Sequence, residues 1–180
     1  MPRLPDYTRK RTGNFADIFF DRAKAMTQRI DYKKTAPGAF AAMLDLEAYL
    51  RSSGLEHSLL ELVKIRVSQI NGCAYCLDMH HRQARADGES QQRLDVLPAW
   101  AETTLFSDRE RAALALAEAV TRLPAGHVPD EIFASARRHF DDKALVDLTL
   151  AIIAINGWNR LAITFRVPPE NHESPVARTA

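Results

Sequence analysis

Glu61-Leu-Val-Lys-Ile-Arg-Val-Ser-Gln-Ile-Asn-Gly-Cys73-Ala-Tyr-Cys76-Leu-Asp-Met-His80 is the stretch whose reading decides both fold and chemistry. Leu62, Val63, Arg66, Val67 and Ile70 recur at spacings of three and four, which predicts a helix with an inward face. Extended backward to Leu59, that helix begins near Glu56 or His57. Glu61 falls off this stripe, beside Lys64, Ile65 and Ser68. Asn71-Gly72 is a turn dipeptide, so the helix breaks there and a new one starts at Cys73 and runs to Asp87-Gly88.

The new helix places its chemistry by geometry. At about 100° per residue, Cys73, Cys76 and His80 lie within roughly 60° of one another on one face. Thiols in a first helical turn meet free N–H groups and the positive end of the helix dipole, which favour the reactive thiolate. Two cysteines three apart can close a disulfide across that turn, one attacking an oxidant and the other resolving the product. His80, one turn beyond Cys76, has a neutral form near pH 7 and can relay a proton. Folding at Asn71-Gly72 would bring Glu61 back toward the pair.

Other readings of the same residues stand beside this one. Cys73, Cys76, His80 and Glu61 are acceptable zinc ligands by type, although no second Cys pair or His-x-x-x-His follows. Two inert core cysteines are the plainest alternative. Covalent haem attachment is excluded, because Leu77 stands where a histidine must follow the second cysteine. Glu61 alone reads as a solvated helix residue, and His81 as a surface neighbour of His80. His57, His127, His139 and His172 have no thiol or carboxylate close in sequence and read as structural or solvated.

Outward from the centre, every segment reads as helix or connection. Residues 1–13 form an arm. Asn14 caps a helix over 15–30 with Phe15, Ile18, Phe19, Met26 and Ile30 on one face. A turn at Lys33 to Ala36 leads to Pro37, suited to a first helical position. That helix runs to Ser53-Gly54, with Phe40, Met43, Leu44 and Leu50 inward. Ser107-Asp-Arg-Glu110 is a capping box for a helix that ends before Pro124. Pro129-Asp130 opens another, with Phe133 and Phe140 on one face. Asp141 or Asp142 caps the next, which runs to Asn156-Gly157. A short last helix carries Trp158, Arg160, Leu161 and Ile163, and a tail follows Pro168-Pro169. No stretch alternates with period two, so the fold class is all-α in a single domain, its core about 37–166. Ile70-Asn71-Gly72-Cys73 echoes Ile155-Asn156-Gly157-Trp158, which reads either as chance or as a duplicated helix-break-helix unit.

The 180 residues carry 24 basic and 23 acidic side chains, net +1, which gives no electrostatic reason to expect nucleic acid or an anionic membrane. The apolar run at Ile152 to Ile155 reads as too short for a membrane span, and the N-terminus has no signal-peptide core. A cytoplasmic location is the expectation. There, a Cys-x-x-Cys is more often catalytic or metal-binding than a staple, and an all-α context argues against a thioredoxin fold.

Glu61, then Cys73-Ala-Tyr-Cys76, then His80, within Leu60 to Arg66, Ser68 to Cys73 and the later Ile155-Asn156-x-Trp158-Asn159-Arg160-Leu161, resembles the AhpD-like alkylhydroperoxidases of the carboxymuconolactone decarboxylase superfamily. The resemblance covers about 37–121 and extends more weakly to about 166. It implies an AhpD-like helical fold, a trimeric or hexameric homo-oligomer, and thiol-dependent reduction of organic hydroperoxides or hydrogen peroxide. It implies Cys76 as the peroxidatic cysteine, Cys73 as the resolving one, and Glu61 and His80 as the proton relay. No metal, haem or other cofactor is implied, only an external thiol donor, protein or small molecule. Family members of best-known chemistry have histidine between the cysteines. Tyr75 stands there instead, and a phenol is no base near neutral pH, so it is left to orient water or substrate, or to pack. A lactone decarboxylase on the same scaffold and a non-enzymatic redox-sensing or disulfide-exchange module are the alternatives.

Overall fold

The computed structural model describes residues 27–123 and 127–170, and among them every regular element is helical. In chain order these are α1 (Tyr32–Thr35), α2 (Pro37–Arg51), α3 (His57–Asn71), α4 (Ala74–Ala86), α5 (Gln91–Val96), a 3-10 helix (Leu97–Glu102), α6 (Asp108–Arg122), α7 (Asp130–Arg137) and α8 (Asp142–Phe165). The all-α expectation holds. The arm, Asn14 and residues 15–26 of the first expected helix lie outside the described residues, and residues 27–30 are not helical.

Helix ends follow local chemistry. Pro37 opens α2. Ser107 and Glu110 close their capping box at α6, and Asp141 caps α8 through the Ala144 N–H. Asp31 does the same for α1, so the turn expected at Lys33 to Ala36 is a single helical turn with its own cap. Gly72 takes φ +70° and ends α3, its N–H donating to Ser68 O. Cys73 is then the N-cap of α4.

α3 is the axis. Leu59, Val63 and Val67 pack in a cluster with Leu148, Ile152 and Ile155 of α8 and with both cysteines. Leu62 and Ile65, on another side of α3, pack with Leu94, Leu97, Phe106 and Leu114. Fully burying one such aliphatic side chain is worth about 1.5–3 kcal/mol, so α3 anchors two cores at once. From Leu59 onward packing on several sides leaves no fully exposed position, and Glu61, expected off the inward stripe, is itself buried.

Four further readings need correction. α8 runs unbroken through Asn156 and Gly157, because glycine in a helix held on both sides by packing is tolerated. α5 and the 3-10 helix fill a stretch to which no element was assigned. Leu44 and Phe133, expected inward, are exposed. The 24-residue α8 is also long and apolar enough to cross a membrane by length and composition, contrary to the reading of its apolar run as too short. Here its Leu145, Leu148, Ala151, Ile152 and Ile155 lie in the core.

The two echoing segments meet. Asn71 Nδ2 donates to Asn156 Oδ1 at 2.9 Å and to Asn159 Oδ1 at 2.8 Å. Asn159 is fully buried and donates to Ser68 Oγ at 3.0 Å. These bonds pin the end of α3 to α8 just before the break at Gly72.

A Cβ at Gly72 meets no atom within 4 Å, so its substitution acts through the backbone alone. Gly72→Ala is expected to lower the unfolding free energy by about 1 kcal/mol in urea titration, from the left-handed conformation it must adopt. An unchanged midpoint would contradict the strained-turn account.

Candidate functional site

Cys73 and Cys76 are joined by a disulfide across the first turn of α4. Cys73 Sγ also takes the helix-capping place, accepting from the Cys76 N–H at 3.4 Å. Both cysteines are 1% exposed. The sulfurs thus sit where unpaired N–H groups of a helix start meet an apolar core.

His80 follows Cys76 by one turn on the same helix, about 40° around the axis. Its Nδ1 lies 2.8 Å from Glu61 Oε2, across the α3–α4 interface. Glu61 is 3% exposed and His80 7%. The turn thus brings Glu61 directly against His80. Burial alone would raise the Glu61 pKa. The hydrogen bond and charge of His80, with the charges of Lys64 and His57, outweigh it and hold the carboxyl below its usual range. With Glu61 ionised, His80 Nδ1 is the donor of that hydrogen bond.

A second layer was not read from sequence. Lys64, 7% exposed, lies 3.6 Å from Glu61 Oε1 and donates to Glu47 Oε2 at 3.1 Å. Glu47 Oε1 accepts from Trp158 Nε1 at 3.0 Å. The signal for Lys64 was in hand, since it stands three residues after Glu61 on one helix face. Glu47 and Trp158 belong to α2 and α8, and periodicity says nothing of which helices meet.

Tyr75 is half-buried against the larger core cluster. Burial, and then the neighbouring Tyr75 phenol, push the Tyr32 phenol up. Tyr32 in turn lines an apolar groove of about 650 Å³ with Ile30, Phe40, Met43, Leu161 and Phe165. On the other side, Glu61 lines a cavity of about 200 Å³ with Ser58, Asp87, Glu89, Arg93 and Glu110. His81 is partly buried and its Nδ1 meets Leu77 O, while His57 pairs with Asp87 at 3.0 Å. Among the described residues, no group of three or more His, Cys, Asp or Glu side chains is set to hold a metal ion.

Comparison with known proteins agrees with this architecture. The family model of the carboxymuconolactone decarboxylase family matches residues 37–119. The uncharacterized protein YdfG of Bacillus subtilis is 46% identical over 138 residues, 77% of this chain and 94% of that protein. A crystal structure of an Agrobacterium tumefaciens protein of unknown function, provisionally described as the antioxidant defence protein AhpD, is 44% identical. It matches with a TM-score of 0.78 over 81% of this chain and 100% of that one. The debrominase Bmp8 shares the fold, with 21% identity and a TM-score of 0.69 over 76% of this chain and 74% of that one.

The lowered Glu61 pKa has a stability consequence. The carboxylate contributes above its ordinary value of 4.5, and that contribution is lost as pH falls through the lowered native value. Glu61→Gln should therefore lose less stability than wild type as pH is lowered from the ordinary carboxylate value of 4.5 through the depressed native value, measured by denaturant unfolding. Parallel acid limbs would contradict the ionised Glu61–His80 pair.

Proposed function

The chain belongs to the carboxymuconolactone decarboxylase family, and on that premise we propose that it is an AhpD-type thiol peroxidase. It reduces organic hydroperoxides or hydrogen peroxide through a Cys73/Cys76 dithiol–disulfide cycle. The observation that carries this reading is the pairing of a first-turn Cys73–Cys76 disulfide with the buried Glu61–His80 hydrogen bond on the adjoining helix.

In the reduced protein, His80 Nε2 takes the Cys76 thiol proton, and the thiolate attacks the outer oxygen of the hydroperoxide. The O–O bond breaks, the leaving alkoxide takes the proton back from His80, and an alcohol departs (water, when the substrate is hydrogen peroxide). Cys76 is left as a sulfenic acid. The Cys73 thiol passes its proton to His80 and its thiolate attacks that sulfur; hydroxide leaves, takes the proton from His80 to become water, and the disulfide closes. Two electrons have passed from sulfur to oxygen. An external dithiol, or two monothiols, returns them by exchange, as the reducing cytoplasm would supply. Glu61 stays ionised and holds the proton on His80 Nδ1, which keeps Nε2 in its basic tautomer. Tyr75 packs beside the pair and orients the peroxide or a water. Large apolar side chains exposed on α2 (Leu44, Tyr49) and on α8 (Val146, Ile153, Ile163) support a homo-oligomer, which would cover some of them.

Cumene hydroperoxide added to the reduced protein should remove two hydrogens by mass spectrometry and join Cys73 to Cys76. Cys73→Ser should accumulate a sulfenic acid at Cys76, and Cys76→Ser should accumulate none. His80→Ala or Glu61→Gln should slow peroxide consumption about a hundredfold, the usual scale for a positioned acid–base group. Thiols that stay free under excess peroxide sink the reading. Carboxymuconolactone turnover surviving both cysteine substitutions would favour a decarboxylase instead. An oligomer that dissociates on oxidation with negligible turnover would favour a redox sensor.

A further inference from the structure

Lys64 is a buried ammonium shared by two carboxylates. It is hydrogen-bonded to Glu47 at 3.1 Å and faces Glu61 at 3.6 Å, beyond hydrogen-bond reach. Glu47 is held from the other side by Trp158. Glu61 therefore has one oxygen on His80 and the other on a cation that its own bond to Glu47 holds at that distance. We propose that Lys64, tethered by Glu47, is a positioning residue that keeps Glu61 ionised and oriented toward His80, so that these two residues set the acid limit of the thiol chemistry. The inference rests on the Glu61–His80 relay of the preceding section.

Charge counting gives the physical reason. Glu47, Lys64 and Glu61 together carry one net negative charge, and a proton gained by His80 brings the cluster to zero. A relay that alternates His80 between neutral and charged forms then moves the cluster between one negative charge and none, never to a buried positive charge. Without Lys64 the same cycle would start from two uncompensated carboxylates, which a dry interior penalises by protonating one of them. The proton would go to the wrong place, on Glu61 rather than on His80. The other charged groups around Glu61 are more remote in role. His57 on the first turn of α3 is taken up by Asp87, and Glu89, Arg93 and Glu110 on the cavity side form their own ion-pair cluster.

The test is a carboxyl-carbon NMR titration of Glu61 in labelled protein, assigned with Glu61→Gln, beside the pH profile of peroxide consumption. In Lys64→Met the Glu61 midpoint and the acid limb should both rise by about one pH unit, a tenfold loss of rate at a fixed pH on that limb. Lys64→Arg should bring both back toward wild type. Glu47→Gln removes a negative neighbour and releases the ammonium, so the midpoint should fall. Opposite signs for Lys64→Met and Glu47→Gln separate charge control from general loosening of the core, which would move both variants alike. Should Lys64→Met fail to fold, Glu47→Gln decides the matter, and a rise in its midpoint overturns the proposal. An unmoved midpoint in folded Lys64→Met overturns it too. A wild type that consumes no peroxide removes the peroxidase reading, while the midpoints still decide whether Lys64 governs Glu61.

Discussion

Burying the Glu61 carboxylate at 3% exposure is the constraint on which the arrangement depends. An unpaired charge at that depth costs several kcal/mol, and the group would neutralise instead. Its ionised form survives because His80 approaches from α4 and Lys64 from the next turn of α3. Those two partners dictate the rest. His80 can arrive only if α4 folds back along α3. Lys64 is buried where a second carboxylate, Glu47 of α2, shares it. The network Trp158–Glu47–Lys64–Glu61–His80 thus runs through α8, α2, α3 and α4, and it connects the outer packing of the fold to the turn that carries the sulfurs.

The fold-back is a backbone matter as much as a side-chain one. Gly72 reverses the chain without a Cβ penalty, and Cys73 begins the next helix at once, so the thiols inherit a helix N-terminus inside the core. Asn71, Ser68 and Asn159 hold that corner against α8 with polar bonds that a purely apolar contact could not orient. The same helix then serves two ends, with an apolar body that fills the core and polar side chains that fix the corner.

Much of this was legible because it is local. The Ser107 capping box, Pro37 at a helix start, the break at Asn71-Gly72 and the common face of Cys73, Cys76 and His80 depend only on spacing and residue type. What was misread depends on neighbours. Glu61 was placed at the site by its pattern, but its burial was hidden, because a helix packed on several sides has no period to reveal its buried polar positions. Asn156-Gly157 looked like a second break, yet identical letters gave a break in one place and a continuous helix in the other. At Gly72 the chain must turn for α4 to pack, whereas at Gly157 packing on both sides of α8 keeps the helix intact. Lys64, Glu47 and Trp158 form a site feature only once α2, α3 and α8 are placed side by side. The resemblance of Glu61, Cys73, Cys76 and His80 to a known pattern anticipated the family. The second layer around Glu61 emerged only from the fold.

The account stands or falls on whether the dithiol transfers its electrons to a peroxide bond. The most direct measurement is a single-turnover titration. Fully reduced protein is mixed anaerobically with one equivalent of cumene hydroperoxide, and both the alcohol formed and the thiols lost are counted. The account predicts one alcohol for each pair of thiols consumed, with the pair identified as Cys73 and Cys76. Alcohol formed without thiol loss, or no alcohol at all, would contradict it.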